Sequence, residues 1–249
     1  MYDRFGNADP EEPLVMGPNI GEWPEMEPLH EHLLLKVAGA YDSSVTTDEL
    51  VPSGEASSYR SNPEKLAGYT LISRDPEYVG RARAVRAQER QLREAGLSAV
   101  TDEEAKSLIE ALCGELGCTE NEIALGSMIC GPQIGDGSSR EQAASSQKVL
   151  GGLADLAGEY ATKRYRSNLI NWGILPLITR EDLGDMQEGD YLLVSGIRTC
   201  LEAGNTEITV RRLGSRPREI ACTLGQMTAE ERKILLAGCL INYYAGERN

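Results

Sequence analysis

One stretch limits the fold more than any other. An apolar run, Ile123-Ala124-Leu125-Gly126-Ser127-Met128-Ile129-Cys130, leads to Gly135-Asp136-Gly137-Ser138-Ser139-Arg140-Glu141 and then to a helix-like segment from Gln142 to Leu150. Strand, glycine-rich turn and helix in that order put several backbone N–H groups at a helix N-terminus, where the summed peptide dipoles favour an anion. Gly135 and Gly137 allow backbone angles closed to other residues and let a ligand approach the main chain. Ser138 and Ser139 add hydroxyls beside Arg140, whose guanidinium can hold a carboxylate through two parallel hydrogen bonds. A serine among such donors and a cation is drawn toward the alkoxide and can serve as a base. On spacing alone, a plainer role fits better: Ser138 caps the helix, with Glu141 completing a capping box.

The rest of the chain reads as alternating strands and helices. Residues 1–28, rich in Pro, Gly and Glu, form an extended arm or linker, with Trp23 and Met26 as anchors on a surface. An arm without an obvious partner in the chain creates the expectation that something precedes it. A folded domain over residues 29–249 follows. It begins with a short strand at Leu33 to Val37 and a long loop carrying Ser57-Ser58-Tyr59-Arg60-Ser61-Asn62. A charge-laced helix spans 76–95, and Thr101-Asp102-Glu103-Glu104 caps a second one running to about Leu112. After the central turn come an apolar segment (Leu153 to Ala157), a helix from Thr162 to about Trp172 and the buried-looking Ile174 to Ile178. This alternation predicts a sheet covered by helices. Short strands at 189–194, 207–210 and 218–221 predict an antiparallel patch. A closing helix starts at Thr228 and carries a stripe from Ile234 to Tyr244, taken as core.

Composition narrows the function classes. With 25 Lys+Arg against 39 Asp+Glu, the net charge of −14 repels phosphate backbones and argues against nucleic-acid binding. No apolar run is long enough to span a bilayer, so a membrane partner is not expected, and cytoplasmic residence is. Six cysteines at 113, 118, 130, 200, 222 and 239 lack the paired spacing of a metal site and read as buried thiols. No metal ligand is expected in this chain.

Four segments occur in one order: Val45-Thr46-Thr47-Asp48, Tyr59-Arg60-Ser61-Asn62, Gly135 through Ala144, and Asn168-Leu169-Ile170-Asn171-Trp172-Gly173-Ile174-Leu175-Pro176-Leu177. Together they resemble the C-terminal swivelling domain of the aconitase family of hydro-lyases, and the likeness runs from about residue 15 to the end. The resemblance implies a three-layer β/β/α domain, a mixed sheet plus a small antiparallel sheet, closing like a lid over a catalytic body. It implies the movement of water across a double bond in a small di- or tricarboxylate of the citrate/isocitrate type.

Carried over by position, Ser138 matches the serine base. Ser139, Arg140 and Arg60 match substrate-binding residues, with Asp48, Gly135 and Gly137 in support. The family's 4Fe–4S cluster is expected in a partner domain or large subunit, since no cysteine spacing here supplies it. This chain alone is therefore expected to be inactive. Two departures stand out: Glu49 where histidine is common, and Gln142 where histidine or tryptophan is usual. Alternatives are a small subunit of isopropylmalate isomerase or homoaconitase type and, in another class, an RNA-binding regulator of aconitase fold.

Overall fold

The computed structural model describes residues 6, 9–13, 15–52 and 54–246. Residues 1–5, 7–8 and 14 of the expected arm lie outside the described residues. From 15 to 31 the chain forms neither strand nor helix.

The elements, in chain order, are β1 (His32–Ala40), β2 (Val45–Thr46), α1 (Thr47–Leu50), α2 (Pro63–Ala67), α3 (Tyr78–Ala95), α4 (Glu103–Leu116), β3 (Ile123–Asp136), α5 (Arg140–Val149), β4 (Gly152–Tyr160), α6 (Lys163–Asn171), β5 (Leu175–Ile178), β6 (Tyr191–Val194), α7 (Ile197–Glu202), β7 (Glu207–Arg212), β8 (Arg218–Thr223), α8 (Ala229–Leu236) and α9 (Leu240–Gly246). A short 3-10 turn, Glu55–Tyr59, precedes α2. The Arg60 loop is thus shorter than its composition suggests. Asn62 accepts a hydrogen bond from the Lys65 amide, and Pro63 opens the helix, where its missing N–H costs nothing.

The eight strands make one mixed sheet in the order β1-β6-β7-β8-β5-β4-β3-β2, and β1 also pairs with β3. That last pairing closes seven strands into a ring. Strands β3, β4 and β5 are parallel to one another, β1 is parallel to β3, and β6, β7 and β8 run antiparallel. The antiparallel patch is therefore joined to the parallel strands on both sides, through β1–β6 and through Ile178 opposite Thr223.

Strand alternation explains the layers. Leu33, Leu35 and Val37 of β1 and Met128 and Cys130 of β3 point into the ring with Leu156, Leu177, Val194, Val210 and Ile220. Their neighbours face outward: Leu34, Ile123 and Leu125 pack under α3 and α4, whereas Ala38 and Ile129 pack under α5 and α6. β1 and most of β3 are buried on both faces and read as near-continuous apolar runs, whereas β7 and β8 alternate buried and exposed residues with one face open.

Two expectations change here. The strand read as ending at Cys130 continues to Asp136, because β2 and β4 pair with its last residues. The closing helix breaks after Leu236. There the Leu29 amide bonds the Leu236 carbonyl at 3.2 Å, and Asn242 Nδ2 donates to the carbonyls of Met26 and Ala237 at 2.7 and 2.9 Å. The arm thus takes over helix-end groups, and Ile241 and Tyr244 are exposed rather than core. Cys113, Cys118 and Cys200 are also only half-buried.

Candidate functional site

The carboxyl end of β3 sets the site. Its last residues lie between β2 and β4, with Thr46 opposite Asp136 and Ile134 opposite Tyr160. This brings the N-terminus of α1 against the turn that leads into α5. Gly135 has φ +91° and Gly137 φ +131°, both in the region that disfavours side chains. The turn is also crowded from both sides. A Cβ at Gly135 would collide with the ring of Tyr165, and one at Gly137 with the hydroxyl of Thr47.

Helix α5 begins at Arg140, so Ser139 rather than Ser138 is its N-cap, and Ser139 makes no side-chain capping bond. The capping-box reading fails for a second reason: Glu141 accepts a hydrogen bond from Trp172 Nε1 at 3.0 Å. Ser138 is exposed, and among the described residues its hydroxyl has no hydrogen-bond partner. The helix start is left with open N–H donors and two free hydroxyls.

Arg140 sits in the first turn of α5, where the helix dipole opposes a cation. Its Nε is buried without a partner among the described residues. The hydroxyl of Thr47, fully buried and aimed at Gly137, is likewise unpartnered. Unsatisfied buried donors and acceptors cost stability unless a ligand completes them.

Asp48 lies exposed in the first turn of α1. The neighbouring Glu49 is fully engaged: it accepts from Thr46 N at 2.7 Å in a capping box and pairs with Arg74 at 3.1 Å. Burial pushes the Glu49 carboxyl up, but the bonds from Thr46 and Arg74 hold it below the usual range. At the position where the family commonly has histidine, this chain has a structural anchor.

Arg60 is exposed and pairs with no carboxylate among the described residues. Among the described residues no hydrogen bond or ion pair joins it to the Ser138 turn. Its segment is nonetheless tied to α5 by two routes. Helix α2 packs on α5, with Leu66 and Ala67 in the same core as Ala143 and Ala144. The arm forms the other: Gly21 N donates to Ser61 O at 2.9 Å, and Trp23 makes a tilted ring contact at 4.4 Å with Trp172, which in turn bonds Glu141.

Beneath the turn lies a buried polar group that sequence reasoning missed. Asp155 is 1 % exposed and accepts from Gln147 Nε2 at 3.1 Å, with Tyr165 Oη 3.3 Å away. Tyr165 Oη also donates to Gln147 at 2.8 Å. Burial raises the Asp155 carboxyl to about 7, against the bonds from Tyr165 and Gln147. The network fixes the ring that supports Gly135. An aspartate inside the apolar run 153–157 was the one signal of it.

The residues present do not suit an iron–sulfur cluster. Among the described residues no group of three or more His, Cys, Asp or Glu side chains is placed to hold a metal ion, and Cys130 and Cys222 are buried in the apolar core. Nor is any helix of the described residues long and apolar enough to cross a membrane.

Residues 119–182, which contain the whole β3–turn–α5–α6 unit, match the family model of the aconitase C-terminal domain. The methanogen homoaconitase small subunit of Methanocaldococcus jannaschii is 33 % identical over 116 residues, 47 % of this chain and 59 % of that protein. Aconitate hydratase A of Streptomyces viridochromogenes is 28 % identical over 231 residues, 86 % of this chain and 24 % of the relative. The chain therefore spans under two thirds of one of these relatives and about a quarter of the other. The crystal structure of a 3-isopropylmalate dehydratase from Methanocaldococcus jannaschii shares the fold, with TM-score 0.54 and 22 % identity over 87 % of this chain and 95 % of that one. The chain shares that fold: a ring of mixed strands with helices packed outside and the Ser138 turn at one edge.

Proposed function

We propose that this chain is the substrate-gripping domain of an aconitase-like hydratase that dehydrates and rehydrates a small di- or tricarboxylate. The observation that carries the reading is Arg140, a cation held against its own helix dipole with a buried, unpartnered Nε. Among the described residues no group pairs with that Nε, and a substrate carboxylate would. Ser138, free of other bonds beside the open N–H groups of α5, acts as the base. Its alkoxide is stabilised by those donors and by the guanidinium. Ser139 and Arg140 bind one carboxylate and Arg60 a second, with Asp48, Gly135 and Gly137 shaping the floor.

Because Ser138 and Arg60 are open to solvent, the site needs a facing body to exclude water. That body would be a cluster-bearing partner domain or large subunit, whose 4Fe–4S group would supply Lewis acidity when present. The chain by itself is inactive.

The identity to a homoaconitase small subunit supports a second reading, in which this domain serves a separate large subunit acting on a homologous acid. The alignment of 231 residues to aconitate hydratase A supports the citrate/isocitrate reading. The net charge of −14 speaks against an RNA-binding regulator. Free thiols suit a reducing, cytoplasmic setting.

The test is to mix the chain with a cluster-bearing aconitase body, and separately with a homoaconitase large subunit, and to follow the absorbance of the unsaturated intermediate. Turnover with one partner is the expected result, with Arg140→Lys raising KM about tenfold or more by loss of the bidentate grip. If neither mixture turns over while a known C-terminal domain restores both, the hydratase reading is wrong.

A further inference from the structure

A cavity lies at the far end of α5 from the Ser138 turn, beneath residues 24–30. It measures about 130 Å³, and much of its wall is apolar, including Met26, Leu33, Leu153 and Leu235. Lys148 lines it and is only 9 % exposed. A lysine ammonium has three N–H donors. Among the described residues the one acceptor for them is the Gly173 carbonyl, at 3.3 Å. Burial pulls this amine down to about 8.

The other charges around the cavity are already engaged or peripheral. Arg86 pairs with Glu64 at 2.6 Å, and Glu89 accepts from Arg93 at 2.9 Å and from the Leu125 amide at 2.8 Å. Glu25 and Glu27 line the mouth as solvent-exposed residues, and His30 is held largely neutral by burial and by Arg93. Among the described residues the buried Cys239 thiol is the one titratable group that acts on Lys148, and no carboxylate is paired with it. A buried ammonium with two unused donors in an apolar setting is costly unless an anion meets it.

We propose that this cavity binds a small monocarboxylate with a compact apolar body, its carboxylate on Lys148 and its body against the apolar wall. A cavity of this size takes about six heavy atoms, as a benzene-sized void does. A second carboxylate would be buried against leucines without a partner, which sets this ligand apart from a polycarboxylate substrate. The inference does not rest on the hydratase reading, and its test needs this chain alone.

The chain carries its own reporter. It has two tryptophans, Trp23 and Trp172, in tilted contact with ring centres 4.4 Å apart, and Trp172 immediately precedes the carbonyl that holds Lys148. The purified chain is titrated at constant ionic strength with isobutyrate, with its neutral isostere isobutyramide and with citrate, following tryptophan fluorescence. The expected result is a saturable change with isobutyrate, binding of isobutyramide weaker by about tenfold or more, and no saturable change with citrate. Lys148→Met should weaken isobutyrate to the level of the amide. Should that variant not fold, the acid–amide comparison on the unaltered chain decides alone. Equal binding of acid and amide, saturation by citrate, or no response to isobutyrate would each overturn the proposal.

Discussion

The hydroxyl of Thr47 occupies the space that a side chain at Gly137 would need. Two segments distant in sequence therefore meet backbone to side chain at the turn beside Ser138. Gly137 is held at φ +131°, so alanine there meets both a strained backbone and the threonine. Gly137→Ala should lower the stability of the free chain by about 1–3 kcal/mol. Chemical denaturation measures this, and an unchanged midpoint would mean that the turn relaxes freely.

Asp155 gives the fold a pH dependence of known sign. Its carboxyl titrates near 7 in the folded chain, well above its unfolded value, because burial favours the neutral form. Between roughly pH 4 and 7 the folded state therefore holds a proton that the unfolded state has lost, and stability falls as pH rises. Asp155→Asn should flatten this slope and gain on the parent chain at pH 8, by on the order of 3 kcal/mol if the replacement packs as well. Denaturation midpoints of the two chains at pH 5 and pH 8 check it, and parallel profiles would count against a raised Asp155.

Glu49 is a structural anchor rather than a ligand. Replacing it with alanine removes both the capping box on α1 and the Arg74 pair. The expected loss is about 1–2 kcal/mol, most of it from the cap because the ion pair is partly solvated. Thermal unfolding of Glu49→Ala beside Arg74→Ala separates the two contributions. A Glu49→Ala change without effect would show that β2 alone positions the segment.

Much of this was legible in the chain. The β3–turn–α5 unit declares itself through an apolar run, two glycines and a serine-rich helix start, because local rules govern each part. The closure of the ring by β1 and β3 does not, since parallel pairing between remote strands depends on the packing of everything between them. The division of the final helix was hidden for a similar reason: the arm, not the helix sequence, takes its end carbonyl. Within the site, Ser138, Ser139 and Arg140 were visible as a motif. Ser138 as a cap was not sustained, since the helix begins one residue later and Glu141 turns to Trp172. Thr47, Tyr165 and Asp155 were missed because their roles exist only once α1, α6 and β4 converge on one turn.

The proposed reaction depends on Ser138, as its alkoxide, taking the proton next to a substrate carboxylate and becoming the hydroxyl. The most direct measurement is exchange of that substrate proton with solvent deuterium in the complex with a cluster-bearing partner, comparing the parent chain with Ser138→Ala. The hydroxyl has no partner among the described residues, so the variant should keep the stability of the free chain to within about 0.5 kcal/mol. We predict that exchange falls by about a thousandfold or more while substrate still binds. Exchange at the parent rate in a folded, substrate-binding variant would contradict the account.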